Sequence, residues 1–161
     1  GDGREALRRY VDYVQRALAG TVARGLLNTP PPPFPVPVYV AGNTVESAAV
    51  AGAVGDGLMP YLTPRSHLAV LLTAAADAAR AAGRTAAVPC CLSIPTFVSE
   101  DVEAARSAAR YNLAFFAQLP NYRRQWRRAG LGAWLDELGA DLRSAQRRDI
   151  AQRVPEALID E

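Results

Sequence analysis

The chain has 161 residues, half of them hydrophobic, and its 18 basic residues, all arginine, stand against 16 acids for a formal net charge of +2. That length suits one domain with a core of its own. The near-balanced charge gives no support to a nucleic-acid partner or an acidic substrate. Cys90 and Cys91 are neighbours, and adjacent strand residues point to opposite faces, so the expectation is two free, half-buried thiols in a reducing cytoplasm. No apolar run is long enough to span a bilayer and no signal-peptide pattern is present, which predicts a soluble, cytoplasmic protein with no membrane partner.

Leu7, Val11, Val14 and Leu18 recur at helical spacing, so residues 1–20 read as a helix ending near Gly20. The prolines at 30–33, 35 and 37 then forbid helix, and residues 28–37 read as a rigid extended linker; a recognition motif for a proline-binding module is the alternative. Three β-α units are expected over 38–118. The first opens with an apolar strand, Val38 to Ala41, without the alternation of a one-sided sheet. Asn43 or Thr44 can cap the helix that follows, Asn43 with Glu46 has capping-box spacing, and Gly55 is a natural stop. Leu58 to Leu62 reads as the second strand, and Thr63-Pro64 as the start of a helix that Gly83 ends. Ala87 to Ile94 is a third strand made imperfect by Pro89. Ser99, Glu100 and Asp101 open a long helix reaching about Gln118. Residues 119–161 read as C-terminal helices: one capped by Asn121 and ended by Gly130, then more helix with a break near Val154-Pro155. Alternation of this kind implies an α/β fold of about three parallel strands with right-handed crossovers.

The stretch "PVYVAGNTVESAAVAGAVGDGLM" resembles the second half of the luciferase-like monooxygenase family, which includes the flavin- and F420-dependent (deazaflavin) oxidoreductases. Pro37, Val38, Val40, Ala41, Ala51, Gly52, Asp56 and Gly57 match its pattern of strand, glycine turn, Ala-Gly helix and Asp-Gly strand. "LTPRSHL", "AARAAGR", "SEDVEAARSAAR" and "LAFFAQLPNYRRQWRRAGL" follow in the family's order, and the Leu-Pro-Asn-Tyr segment is similar to an F420-dependent subgroup. The resemblance covers nearly the whole of residues 1–161 as a single domain. It implies a partial TIM-type (β/α)8 barrel, here its fifth to seventh strands, completed by self-association as a homo-oligomer or by a chain carrying the missing strands.

The function it implies is part of an F420- or FMN-dependent oxidoreductase or monooxygenase moving hydride to or from an organic substrate, with F420 slightly favoured. The alternative is a degenerate, non-catalytic half-barrel serving as a structural or interaction subunit. In such barrels ligands sit at the C-terminal ends of the strands, with phosphate at backbone N–H groups and helix N-termini. The implied cofactor contacts are Ala41, Gly42, Asn43 and Thr44 at the first strand end and Tyr61, Leu62 and Thr63 at the second. Ile94, Pro95 and Thr96 at the third would line the substrate side. The family commonly has glycine where Thr44 stands, and a helix cap is the competing role for Thr44 and for Thr63. No metal motif and no nucleophile–base constellation is present in the sequence, and the residues that would polarise substrate belong largely to the family's first half. His67 reads as a surface or boundary residue. The arginines around Trp126 read as a solvated face, and Tyr111, Phe115 and Phe116 as core.

Overall fold

A computed structural model of the chain describes residues 2–22, 30–139 and 147–160. They fall into two units, residues 1–61 with 69–93, and residues 62–68 with 94–161.

The first unit holds helix α1 (Gly3–Leu18), strand β1 (Tyr39–Ala41), helix α2 (Val45–Val54), strand β2 (Gly57–Met59) and most of helix α3 (Arg65–Ala81). Asp2 caps α1 through its carboxylate, which accepts from the Arg4 N–H. The helix ends where Gly20, at φ +72°, turns the chain, its N–H donating to Ala17 O while the Thr21 N–H donates to Arg16 O. That pair of bonds closes the last carbonyls of α1. Thr21 and Val22 are the last described residues before the linker, whose first two residues, 28 and 29, lie outside the described residues, as do 140–146 within the C-terminal helical reading.

β1 and β2 pair in parallel, Tyr39 opposite Gly57, Val40 opposite Leu58 and Ala41 opposite Met59. Val40 and Leu58 are buried in a core with Val11, Ala48, Ala51, Leu71 and Ala75. The Asp56 carboxylate accepts from the Val38 N–H at 2.7 Å, and the Asp56 N–H returns a bond to Val38 O, which fixes where β2 starts against β1. α2 lies close to α3: a Cβ on Gly52 would stand 1.9 Å from Ala75 O, a distance no side chain tolerates. Arg84 donates to the carbonyls of Gly52 and Gly55, supplying a cation at a helix C-terminus that has none of its own.

The third strand is reduced to two parallel bridges, Leu58 with Cys90 and Tyr61 with Ser93. Prolines account for this. Pro60 and Pro89 each lack the N–H that a continuous ladder needs, so bonds form only where a neighbour can donate: Leu58 N–H to Pro89 O, Cys91 N–H to Leu58 O, and Ser93 N–H to Pro60 O. Among the described residues the regular sheet is therefore two-stranded, not three-stranded, in a mostly helical α/β chain.

The second unit is helical: α4 (Val102–Phe116), α5 (Pro120–Trp126), a π-turn at Arg127–Leu131, α6 (Gly132–Leu138), α7 (Arg147–Gln152) and α8 (Glu156–Asp160). Asp101 caps α4, accepting from the Glu103 and Ala104 N–H groups. Pro120 stands at the first position of α5, where its missing N–H costs nothing, so Asn121 lies inside the first turn and Leu119 takes the cap position. Gly130, at φ +93°, breaks the helix and lets α6 restart. Trp126, Leu135 and Ile150 are the fully buried centre of this unit's core, and Phe116 and Tyr122 pack against it.

Candidate functional site

At the strand ends of the first unit the polar residues are bound into the fold. Thr44 is the N-cap of α2: its Oγ1 accepts from the Ser47 N–H at 3.2 Å while Ser47 Oγ accepts from the Thr44 N–H at 3.1 Å. The capping box thus pairs Thr44 with Ser47, and Glu46 is not its second member. Ser47 Oγ also donates to Thr44 O at 2.9 Å, which leaves the Thr44 hydroxyl as the donor in the 3.2 Å contact between the two side chains. Asn43 is drawn across the sheet, its Oδ1 accepting from the Tyr61 N–H at 2.8 Å. Gly42 is small because Ser47 fills the space beside it; a Cβ there would lie 2.3 Å from Ser47 Oγ. Ala41 is exposed at the end of β1.

The face of the sheet opposite the core is open. Tyr39 is 37% exposed and Met59 39%, with Ala41 beside them on the same side of the pleat. Gly57 makes room for the Tyr39 ring, which a Cβ there would meet at 2.4 Å.

Four of the expected site residues come together in the second unit. Leu62, Thr63, Ile94 and Pro95 line a cavity of about 90 Å³ whose other walls include Asn112, Leu113, Trp126 and Leu158. Thr96 is not among the lining residues, and its hydroxyl makes only a long 3.5 Å contact with Ile94 O. Leu62 has φ +51°, a left-handed backbone that a γ-branched side chain rarely adopts. Two side chains of α5 hold it there: Gln125 Nε2 and Trp126 Nε1 each donate to Leu62 O at 3.2 Å, and Gln125 Nε2 also donates to Thr63 Oγ1 at 3.0 Å. Gln125 is buried, so these bonds answer the cost of placing its carboxamide inside. Sequence reasoning passed over Gln125, Asn112 and Ser47; the one available signal was an uncharged polar residue, Gln125, placed beside a tryptophan within a run of arginines.

Several expectations change. His67 is buried and not a surface residue, and its Nε2 meets no hydrogen-bond partner among the described residues. Tyr111 and Phe115 are 45% and 44% exposed, with the Arg147 guanidinium 3.9 Å from the centre of the Tyr111 ring; only Phe116 of the three joins the core. Arg123 is no solvated side chain: it donates to the carbonyls of Ala117, Leu135 and Gly139, and desolvation, with Arg127 nearby, lowers its pKa. Arg127 pairs with Asp136, whose carboxyl that hydrogen bond holds below its usual range. Cys90 and Cys91 are free and exposed rather than half-buried, and partial desolvation, then the neighbouring Cys91, pushes the Cys90 thiol up. Among the described residues no group of His, Cys, Asp and Glu is placed to hold a metal ion, and no helix is long and apolar enough to cross a membrane.

A parallel strand pair joined by a helix is the β-α-β arrangement that α/β folds repeat. The family model for luciferase-like monooxygenase matches residues 2–161, and the chain belongs to that family. No curated protein matched the chain.

A flavin or F420 carries phosphate, and phosphate needs donors. The Thr44 hydroxyl donates to Ser47, the Gly42 N–H is turned to Met59 O at 3.4 Å, and Glu46 puts a negative charge in the first turn of α2. With the Thr44 hydroxyl and the Gly42 N–H turned to protein acceptors and a carboxylate in the same turn, these groups do not fit a phosphate. The cavity of the second unit is likewise well below the roughly 300 Å³ that organic ligand sites start from.

Proposed function

We propose that the chain is one section of an F420- or FMN-dependent oxidoreductase acting on a small organic substrate, and that its contribution is wall rather than cradle. The observation that carries this is the open sheet face. In a closed barrel the residues of one pleat parity fill the interior, and the largely apolar side chains of Tyr39, Ala41 and Met59 stay partly exposed. Further strands, from a second copy or from a chain carrying the rest of the barrel, would bury them. Of the two cofactors F420 is favoured, on the resemblance of Leu119 to Tyr122.

A second reading, a non-catalytic structural subunit, is favoured by the closed hydrogen-bonding of Gly42, Asn43 and Thr44. Titration with FMN and with F420, followed by cofactor fluorescence, separates the two. The enzyme reading expects saturable quenching once complementary strands are present, and its loss in Met59→Glu. No quenching at high cofactor concentration with any such partner leaves the structural reading.

A further inference from the structure

The proline-rich run ahead of β1 is exposed at every residue from 32 to 37, with Phe34 at 66% and Val36 at 39%. It is held at both ends. Pro31 packs against the turn that closes α1, where a Cβ on Gly20 would stand 3.0 Å from Pro31 Cγ. Val38 is fixed to Asp56, whose carboxylate accepts from its N–H at 2.7 Å. The chain bends at Pro33 and Phe34, which sets the phenyl ring at a corner. Beyond the bend the backbone has little freedom. Pro35 and Pro37 fix φ near about −65°, and Phe34 and Val36 each precede a proline and are confined to extended conformations. Among the described residues no donor reaches the carbonyls of Phe34, Pro35 or Val36. A spacer needs this stiffness, but not a phenyl ring and an isopropyl group held in water.

We propose that residues 34–37 are a docking arm for a partner protein that carries a proline-binding groove walled by aromatic side chains. An arm of this conformation turns once every three residues, so Phe34 and Pro37 fall on one edge and fill adjacent pockets of the groove. Such grooves favour proline-rich segments because a preformed arm loses little entropy on docking. The unpaired carbonyls accept from the indole or phenol donors that aromatic walls supply. A nucleic-acid partner is disfavoured because residues 30–37 carry no charge. The arm enters β1 at its N-terminal end, opposite the end that leads to Gly42, so the inference stands or falls apart from the oxidoreductase reading.

The test is titration of isolated, isotope-labelled SH3, WW and EVH1 domains with the full 161-residue chain, followed by the indole N–H resonance of each groove tryptophan. The expected result is a saturable shift in at least one domain, with a dissociation constant in the micromolar range. Phe34→Ser should weaken binding about tenfold, and the double variant Pro35→Ala with Pro37→Ala should weaken it similarly by freeing the arm. Val102→Ser, which alters a side chain 65% exposed outside the arm, should leave it unchanged. No saturable shift in any of the three domains, or unchanged affinity in folded Phe34→Ser, overturns the proposal. Sedimentation with phosphatidylcholine vesicles in place of domain binding assigns the arm to a lipid surface and overturns it equally.

Discussion

In the first unit the polar side chains at the strand ends close on the backbone beside them: Thr44 on Ser47, Asn43 on Tyr61, Asp56 on Val38. In the second unit three buried polar atoms, His67 Nε2, Asn112 Oδ1 and Trp134 Nε1, have no partner among the described residues. A polar group consumed by a cap or a strand junction is a folding device, whereas a buried polar atom without a partner is a cost that the surrounding core must offset. The glycine turn at Gly42 is therefore closed by hydrogen bonds of its own neighbourhood, while the helical unit leaves buried polar atoms unanswered.

The sharpest way to break this contrast is Trp126→Ala. Trp126 is fully buried and its indole holds Leu62, so the loss should be about 3–5 kcal/mol. Hydrogen exchange should show protection falling across α4 to α6 more than across β1 and β2; equal loss in both units would remove the distinction. Gly52→Ala acts on the other unit. Its methyl would collide with the Ala75 carbonyl, and about 1–3 kcal/mol of overpacking is expected in urea denaturation, with α2 and α3 losing protection first. Thr44→Ala should cost about 1 kcal/mol through the lost cap and leave any cofactor affinity of the completed assembly unchanged. A large affinity loss at constant stability would restore Thr44 as a ligand.

The smallest effect is electrostatic. Hydrogen bonds from Arg106 and then Arg110 hold the Glu156 carboxyl below its usual range, and Arg127 does the same for Asp136. A carboxylate whose folded pKa is depressed contributes its stabilisation above its unfolded value and loses it as pH falls through the lowered folded one. The Tm should thus decline on the acid side of the ordinary carboxylate range, less steeply in Glu156→Gln, and the difference should shrink in salt because the Glu156 carboxylate is exposed.

Much of the architecture was legible because local signals agreed. The apolar spacing of Leu7 to Leu18, the Thr44 cap, the Gly55 stop and the break at Val154-Pro155 each rest on a few neighbouring residues. What escaped depends on partners far along the chain. Asn43 has the spacing for a capping box with Glu46, but the Tyr61 N–H, eighteen residues away, claims its oxygen. Arg123 reads as solvated until Leu135 and Gly139 bring two carbonyls to it beside that of Ala117. The third strand was apolar enough to expect, yet Pro60 removes a donor from the facing strand as Pro89 does from its own, and sheet pairing depends on both. Leu62, Thr63, Ile94 and Pro95, expected at strand ends, share one cavity, whereas Asn112 lines it and Gln125 binds Thr63 from helices with no periodic mark to single them out.

The central claim is that the Tyr39, Ala41 and Met59 face is a barrel wall awaiting its complement. Sedimentation equilibrium across a wide concentration range tests it directly, on the pure chain and on the chain mixed with a polypeptide carrying the family's remaining strands. The account predicts assembly beyond the monomer in at least one of these, abolished by Met59→Glu. A monomer throughout, indifferent to that substitution, would contradict it.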